Sequence, residues 1–299
     1  MPLTHLRYFD EVVRSGSIRI AAEKLHIAPS AISRQIKNLE DELGAPLFER
    51  HARGVALTAA GEIYARYVRS ALLDQGRVHA EIDDLRGLRR GHIRIHSVEG
   101  VVATPLTLAL AEFREKFSGV TLRLTVTGTD DVIRAVRDGD TDIGIAFTSD
   151  PDPWVRYEAR LRHPLCAIVS PDHVLASRSK LGLAETLQHP YAVPEKNFGI
   201  RSLIDAQARS SKLALKPALV TNSIEALRGF AREGHGVTFL PAITVRREAE
   251  LGQLKVIPLS DREMQKASID LCVQQDRRLP RAVEEFLATL HRVLSKDEK

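Results

Sequence analysis

The sequence predicts a multidomain α/β protein. It would carry a small N-terminal winged helix-turn-helix, one long connecting helix, and a larger C-terminal part built from two α/β lobes. Three observations carry this. Residues 17–43 read as two short helices broken at His26-Ile27-Ala28. Residues 58–89 hold a proline-free heptad pattern. From residue 91 onward short alternating or all-apolar runs take turns with segments of helical period.

The chain of 299 residues is long enough for two or three domains with cores of their own. At 43% hydrophobic and 27% charged, it has the make-up of an ordinary globular protein. A net charge of +4 permits an anionic partner without requiring one. Two cysteines, Cys166 and Cys272, both in apolar runs, make no disulfide framework and suit buried thiols in a reducing compartment. The N-terminus has charges at Arg7, Asp10 and Glu11 and lacks the pattern of a signal peptide. No apolar run approaches the ~18 residues of a membrane span. The expectation is a cytoplasmic protein.

Leu3, Leu6, Phe9, Val12 and Val13 mark a first helix, closed by Ser15-Gly16-Ser17. A second follows with the small pair Ala21 and Ala22, which permits close helix–helix approach. In the third, Ile32, Ile36, Leu39 and Leu43 form one buried stripe, while Ser30, Ser33, Arg34 and Lys37 share another face. A helix pair whose second member presents hydroxyls and cations has the geometry that enters a DNA major groove. An ordinary helical hairpin with a solvated polar face would show the same window. Gly44 stops the third helix. Two β-prone runs around Arg53-Gly54 then suggest a small hairpin, with Arg50, His51 and Arg53 at its tip, where cations suit phosphate contact. Over residues 1–58 eight basic side chains face seven acidic ones, so charge is sorted by position more than by sum.

Tyr64, Val68, Ala71, Gln75, Val78, Ile82 and Leu85 then recur at alternating spacings of four and three. Such a seam, polar only at Gln75, predicts a helix of about 45 Å that seeks a partner helix. A single amphipathic helix lying on a neighbouring domain is the other reading.

Beyond residue 91 the strands expected are His92–His96, Val120–Val126, Asp142–Phe147, Leu165–Val169, Tyr191–Val193, Ala218–Thr221, Val237–Leu240 and Ser268–Val273. Helices fall between them, and an amphipathic helix from Arg281 to Leu294 closes the chain. The first strand-helix-strand-helix-strand series argues a parallel sheet covered on both faces. In open α/β sheets ligands sit beyond the carboxyl ends of strands. That directs attention to the turns holding Ser97, Glu99, Thr127, Gly128, Phe147, Phe198, Arg201 and Ser223, and to Thr104 just beyond the first of them. Hydroxyls and glycine amides at these turns suit an anionic ligand group. Glu99 is the exception. Paired with Arg201 on the opposite lobe, it suggests a ligand with both a cationic and an anionic group, amino-acid-like, in place of a simple carboxylate; an internal salt bridge or a helix cap is the plainer reading.

The run from Ala21 to Glu62 resembles the N-terminal domain of LysR-type transcriptional regulators. It has the alanine pair, the Ser33-Arg34-Gln35-Ile36 helix, the Leu39–Gly44 stop, the Leu47-Phe48-Glu49-Arg50 strand and the Leu57–Gly61 helix entry, in order. Ala28 and Pro29 depart from the Ser/Thr and Gln common at that point in the family. Base reading would then fall on Ser30, Ser33, Arg34 and Lys37. Later runs at Asp142–Ala146, Pro171-Asp172-His173 and Gly234–Pro241 are similar to the family's periplasmic-binding-protein-like effector domain.

The resemblance implies a DNA-binding domain over 1–58, a linker and dimerisation helix over 59–90, and an effector domain over 91–299. The first lobe would hold about 91–162 and 267–299, the second about 163–266. Strand crossovers would bring Cys166 and Cys272 close. The implied partners are double-stranded operator DNA, a small-molecule effector of carboxylate or amino-acid-like type, other copies of the chain as a homodimer or homotetramer, and RNA polymerase as a further candidate. No phosphate loop, nucleophile elbow or metal-ligand spacing appears, so neither a cofactor nor an enzyme activity is expected. The rivals are a repressor whose lobes only assemble it, and an α/β enzyme with a helical module.

Overall fold

A computed structural model describes residues 3–51, 54–85 and 91–295. It divides into two compact units, the first running to Leu85 and including Asp276–Arg278, the second holding the α/β elements.

In the first unit α1 (Leu3–Ser15), α2 (Ile18–Leu25) and α3 (Pro29–Leu43) precede a two-stranded hairpin, β1 (Phe48–His51) and β2 (Gly54–Leu57), and then α4 (Ala59–Leu85). Each boundary has a local cause. Ser17 caps α2 by accepting from the Ile20 amide at 3.4 Å, and His26 ends it at φ 54°. Pro29 occupies the start of α3, where its missing N–H costs nothing, and Gly44 ends α3 at φ 67°. The Glu40 carboxylate accepts from the Leu47 and Phe48 amides at 2.7 and 3.2 Å, fixing where the wing leaves the helix.

Val12, Ala21, Ala22, Ile32 and Ile36 pack as one cluster, and Leu6, Phe9, Leu39, Leu47, Tyr64, Ala65 and Val68 as another. Phe9 joins α1 to α4, with its ring edge-on to Tyr64 at 4.9 Å. Leu43, expected in the buried stripe, is 44% exposed, because the stripe ends one turn earlier at Leu39. The heptad reading of α4 needs a larger correction. Tyr64 and Val68 do not wait for a partner helix; they are buried in the core of their own unit. Farther along the same face Val78 and Ile82 are exposed, and nearer the helix start Ile63 and Tyr67 form a second exposed apolar pair. The seam is therefore intrachain at its start and uncovered toward its end. Of the other seam residues the Leu85 side chain lies outside those described.

The second unit holds two mixed five-stranded sheets. Its elements run β3 (Gly91–Ser97), α5 (Thr107–Lys116), β4 (Val120–Val126), α6 (Thr129–Arg137), β5 (Ile143–Phe147), β6 (Val155–Arg162), β7 (Leu165–Val169), α7 (Leu183–Thr186), β8 (Tyr191–Pro194), α8 (Gly199–Ser210), β9 (Leu219–Thr221), α9 (Ile224–Arg232), β10 (Val237–Pro241), α10 (Arg246–Glu250), β11 (Lys255–Pro258), β12 (Ser268–Gln274) and α11 (Arg281–Ser295).

One sheet has the order β4-β3-β5-β12-β6, the other β11-β7-β10-β8-β9. In each, four strands share one direction and a single strand, β12 in the first and β7 in the second, runs against them one place in from an edge. The first three strands, β3, β4 and β5, are parallel as their series predicts, and β12, returning from the far end of the chain, runs antiparallel between β5 and β6. β5, β7, β8 and β10 are buried at every position, as strands covered on both faces must be. Cys166 pairs within one sheet and Cys272 within the other, so they are not strand neighbours, and both are free.

Phe9 is the keystone of the first unit, 1% exposed and in contact with both α4 and the wing through Tyr64 and Phe48. Phe9→Ala is expected to cost about 3–5 kcal/mol, read as a lower urea midpoint for the full chain by far-ultraviolet circular dichroism. An unchanged midpoint would show that α1 does not hold the unit together.

Candidate functional site

Two sites emerge, one on α3 and one between the two sheets. On α3, Ile32, Ile36 and Leu39 turn inward, while Ser30, Arg34 and Lys37 are exposed and Ser33 half-buried. Most nearby cations are engaged: Arg14 with Asp10 at 2.7 Å, Lys24 with Glu11 at 2.9 Å and Arg19 with Glu23 at 3.6 Å. Arg34 and Lys37 have no ion pair or hydrogen bond among the described residues. The exposed face of α3 therefore offers unneutralised cations flanked by small hydroxyls, a surface shaped for a polyanion with donors to spare. The α3 N-cap, Ala28, makes no side-chain cap bond, so no side chain competes with a ligand for the first amides of the helix. Arg50 lies on β1, with its side chain outside the described residues, and Arg53 lies outside them altogether.

The second site is a small cavity where the two sheets meet. From the first sheet's side it is lined by Val98, Glu99, Gly100, Val101, Thr129, Phe147 and Ile269. From the second come Phe198, Gly199, Ile200, Ile224, Pro241 and Thr244. These positions follow strand ends or open helices, where backbone groups leave the sheet without partners. Most of the wall is apolar; Glu99, Thr129 and Thr244 are its polar side chains.

The sheets approach closely around this space. A Cβ on Gly199 would lie 1.8 Å from the Phe147 carbonyl oxygen, so only glycine fits there. At Gly128 a Cβ would meet the Asn197 side-chain nitrogen and backbone oxygen at 2.9 Å. Thr129 Oγ1 donates to the Phe147 carbonyl at 3.1 Å and accepts from the Gly199 amide at 3.4 Å, tying three elements together.

Glu99 makes the most specific link. Its Oε2 accepts from the Ile224 amide at 2.8 Å and its Oε1 from the Glu225 amide at 3.1 Å, the first two residues of α9. Ser223 Oγ accepts from the third, Ala226, at 3.2 Å, and the amide of the N-cap itself, Ser223, donates to Thr221 Oγ1 at 3.2 Å. All four amides that a helix leaves open at its start are satisfied here. A hydrogen bond to a charged group contributes roughly 1.5–3 kcal/mol, and a carboxylate at a helix N-terminus gains from the dipole as well.

Of the nine residues singled out from the sequence, Glu99, Phe147 and Phe198 line the cavity. Ser97 is fully buried and its hydroxyl faces the Val98 carbonyl. Thr127 bonds Asp131, Gly128 sits against Asn197, and Ser223 caps α9. The Thr104 side chain lies outside the described residues. Arg201 does not meet Glu99. It is held by Asp205 at 2.7 Å and by the Pro194 carbonyl at 3.2 Å, so the paired-charge basis for an amino-acid-like ligand is absent from this geometry. Sequence reading missed Thr244, Ile224, Pro241 and Ile269, which carry no motif; Thr129 and Gly199 were in view as turn residues but not as contacts.

Both thiols are passive. Burial pushes the Cys166 thiol up to about 11, and burial with Asp270 nearby pushes Cys272 higher still. Among the described residues no group of three or more His, Cys, Asp or Glu could hold a metal ion, and no helix is long and apolar enough to cross a membrane.

Comparison with known proteins resolves what these two sites belong to. Residues 3–62 match the model for the bacterial regulatory helix-turn-helix protein of the lysR family, and residues 86–295 match the LysR substrate binding domain. The chain belongs to the LysR family. It is a LysR-type DNA-binding transcriptional regulator with an effector-binding domain, and not an enzyme. The RuBisCO operon transcriptional regulator of Allochromatium vinosum is 29% identical over 252 residues, covering 84% of this chain and 83% of that one. Full-length OxyR of Pseudomonas aeruginosa shares the fold with a TM-score of 0.71 at 20% identity, over 97% and 95% of the two chains. Full-length CbnR complexed with its target DNA gives 0.58 at 20% identity, over 98% and 100%.

Because both thiols are buried and hard to ionise, neither reacts with Ellman's reagent at pH 8 in the native LysR-type chain, and both react once it is denatured. Rapid labelling of either native thiol would contradict the burial described.

Proposed function

We propose that this regulator reads operator DNA through Ser30, Ser33, Arg34 and Lys37 on α3, with Arg50 and Arg53 of the wing on phosphates. A small effector in the cavity between the sheets would then set how two copies sit on the operator. The single observation that carries the DNA assignment is the exposed, unneutralised Arg34–Lys37 face, in a unit where neighbouring cations are consumed by ion pairs. That a protein of the same fold has been solved in complex with its target DNA agrees with a DNA-reading role. With a first unit near neutrality overall, bulk attraction is weak and contacts on α3 must supply much of the discrimination.

Assembly follows from α4. Ile63, Tyr67, Val78 and Ile82 are between 42% and 62% exposed, and at 100° per residue all four fall within about a quarter to a third of the helix circumference. A second copy of the same helix is the occupant such a stripe suits. Two heads at a fixed separation call for half-sites one helical turn, or a multiple of one, apart. Closure or opening of the cleft would alter that separation. Whether further dimers join as a tetramer, and whether RNA polymerase touches the assembly, are extensions of the same proposal. With Arg201 committed to Asp205, the effector is a compact molecule with a largely apolar body.

The test is binding of the full chain to DNA upstream of its own gene against unrelated DNA, by fluorescence anisotropy at a stated low salt. Arg34→Ala should lower discrimination by about 1–3 kcal/mol. Arg53→Ala should weaken both DNAs alike and flatten the salt dependence. Equal loss of discrimination from both substitutions would overturn this division of labour, and no preference for upstream DNA in the unsubstituted chain would overturn the DNA assignment itself.

A further inference from the structure

We propose that Glu99 is a built-in occupant of the anion seat in the ligand cleft, a tethered carboxylate that closes the two lobes without a ligand and makes the cleft selective for molecules bearing no carboxylate at that end. The proposal rests on the reading above that this cavity is the effector site.

The argument begins with the amides of α9. A helix N-terminus facing a ligand cavity ordinarily offers free N–H groups and a partial positive charge. Here the seat is taken. Ile224 and Glu225 donate to Glu99, and Ala226 donates to Ser223. Glu99 reaches across from the other side of the cleft, about 125 residues away in sequence, while Ile224 and Glu99 both line the cavity. The contact therefore does what a bound carboxylate ligand would do: it bridges the two sheets and satisfies α9.

Two further features agree. The backbone contacts at Gly128 and Gly199 show the sheets already in close apposition. Arg201, the cation expected to face this end of the cleft, is neutralised by Asp205 and hydrogen-bonded to the Pro194 carbonyl. Each Glu99 oxygen accepts one bond from α9 and has a further lone pair to offer a ligand in the cavity it lines. That surface attracts an N–H, hydroxyl or cationic group, and repels a second carboxylate. The rest of the wall, from Phe147, Phe198, Ile200 and Ile269, suits an apolar body. The ligand class is thus a small neutral or cationic molecule. An anionic one would enter only by displacing Glu99 and so unlatching the lobes.

The test uses the full chain, unsubstituted and as Glu99→Ala, Glu99→Ser and Glu99→Gln. Melting is followed in sodium formate, acetate or benzoate against sodium chloride at equal ionic strength. Removing the tethered carboxylate empties the seat, so Glu99→Ala and Glu99→Ser should melt lower in chloride and gain several degrees, saturably, with acetate or formate. The unsubstituted chain should respond to these carboxylates no more than to chloride. Glu99→Gln keeps the seat physically filled and should gain little.

A carboxylate-specific, saturable rise in the unsubstituted chain would overturn the proposal, and that arm needs no variant to fold. So would Ala and Ser variants that ignore carboxylates. Binding of the unsubstituted chain to its upstream DNA is measured separately, so failure of the anion seat is distinguishable from failure of the regulator reading.

Discussion

The constraint on which the sensor half depends is the need to satisfy backbone amides where strands stop and helices start. A cleft between two α/β sheets is made of such places, and each unpaired N–H there costs free energy unless something accepts from it. In this chain the answers are internal. Thr129 serves the Gly199 amide, Ser223 serves Ala226, and Glu99 crosses the cleft to serve Ile224 and Glu225. Thr129 and Glu99, in completing the helices, also draw the sheets together, so for them local capping and interlobe closure are one interaction seen at two scales. The small, largely apolar cavity is what is left once those bonds are made.

The reading half depends on a different economy. Its core is built from few residues, and α4 must lend Tyr64, Ala65 and Val68 to complete it. This explains why the heptad pattern misled. A regular spacing of apolar residues shows that a helix face is buried, but not whether the cover is its own domain or another chain. Only the uncovered continuation through Val78 and Ile82, with Ile63 and Tyr67 nearer the helix start, speaks for a partner. On α3 the sequence pattern was more decisive, because inward Ile32, Ile36 and Leu39 leave Arg34 and Lys37 nowhere to point but outward.

Most of the architecture was legible because period and punctuation agreed: Gly44 and Pro29 bound α3, and the strict alternation of Val120–Val126 is β4 from end to end. One strand was legible and overlooked. Val155, Tyr157, Ala159 and Leu161 alternate with Arg156, Glu158, Arg160 and Arg162 along β6, a clear period of two. The mixed sheets were not legible, since strand direction depends on where a return segment such as β12 inserts. Glu99 stood out as a carboxylate among turns suited to anions, yet its partner could not be read from spacing. Arg201 was the natural guess by charge, whereas the partners are backbone amides, which the sequence does not mark.

The central claim is that α9 is capped across the cleft by Glu99. Amide hydrogen exchange resolved by nuclear magnetic resonance tests it most directly. Slow exchange at Ile224 and Glu225 in the unsubstituted chain, accelerated at least tenfold in Glu99→Ala while Ala226 stays protected by Ser223, is the result this account predicts. Equal exchange rates at Ile224 and Glu225 in the two proteins would contradict it.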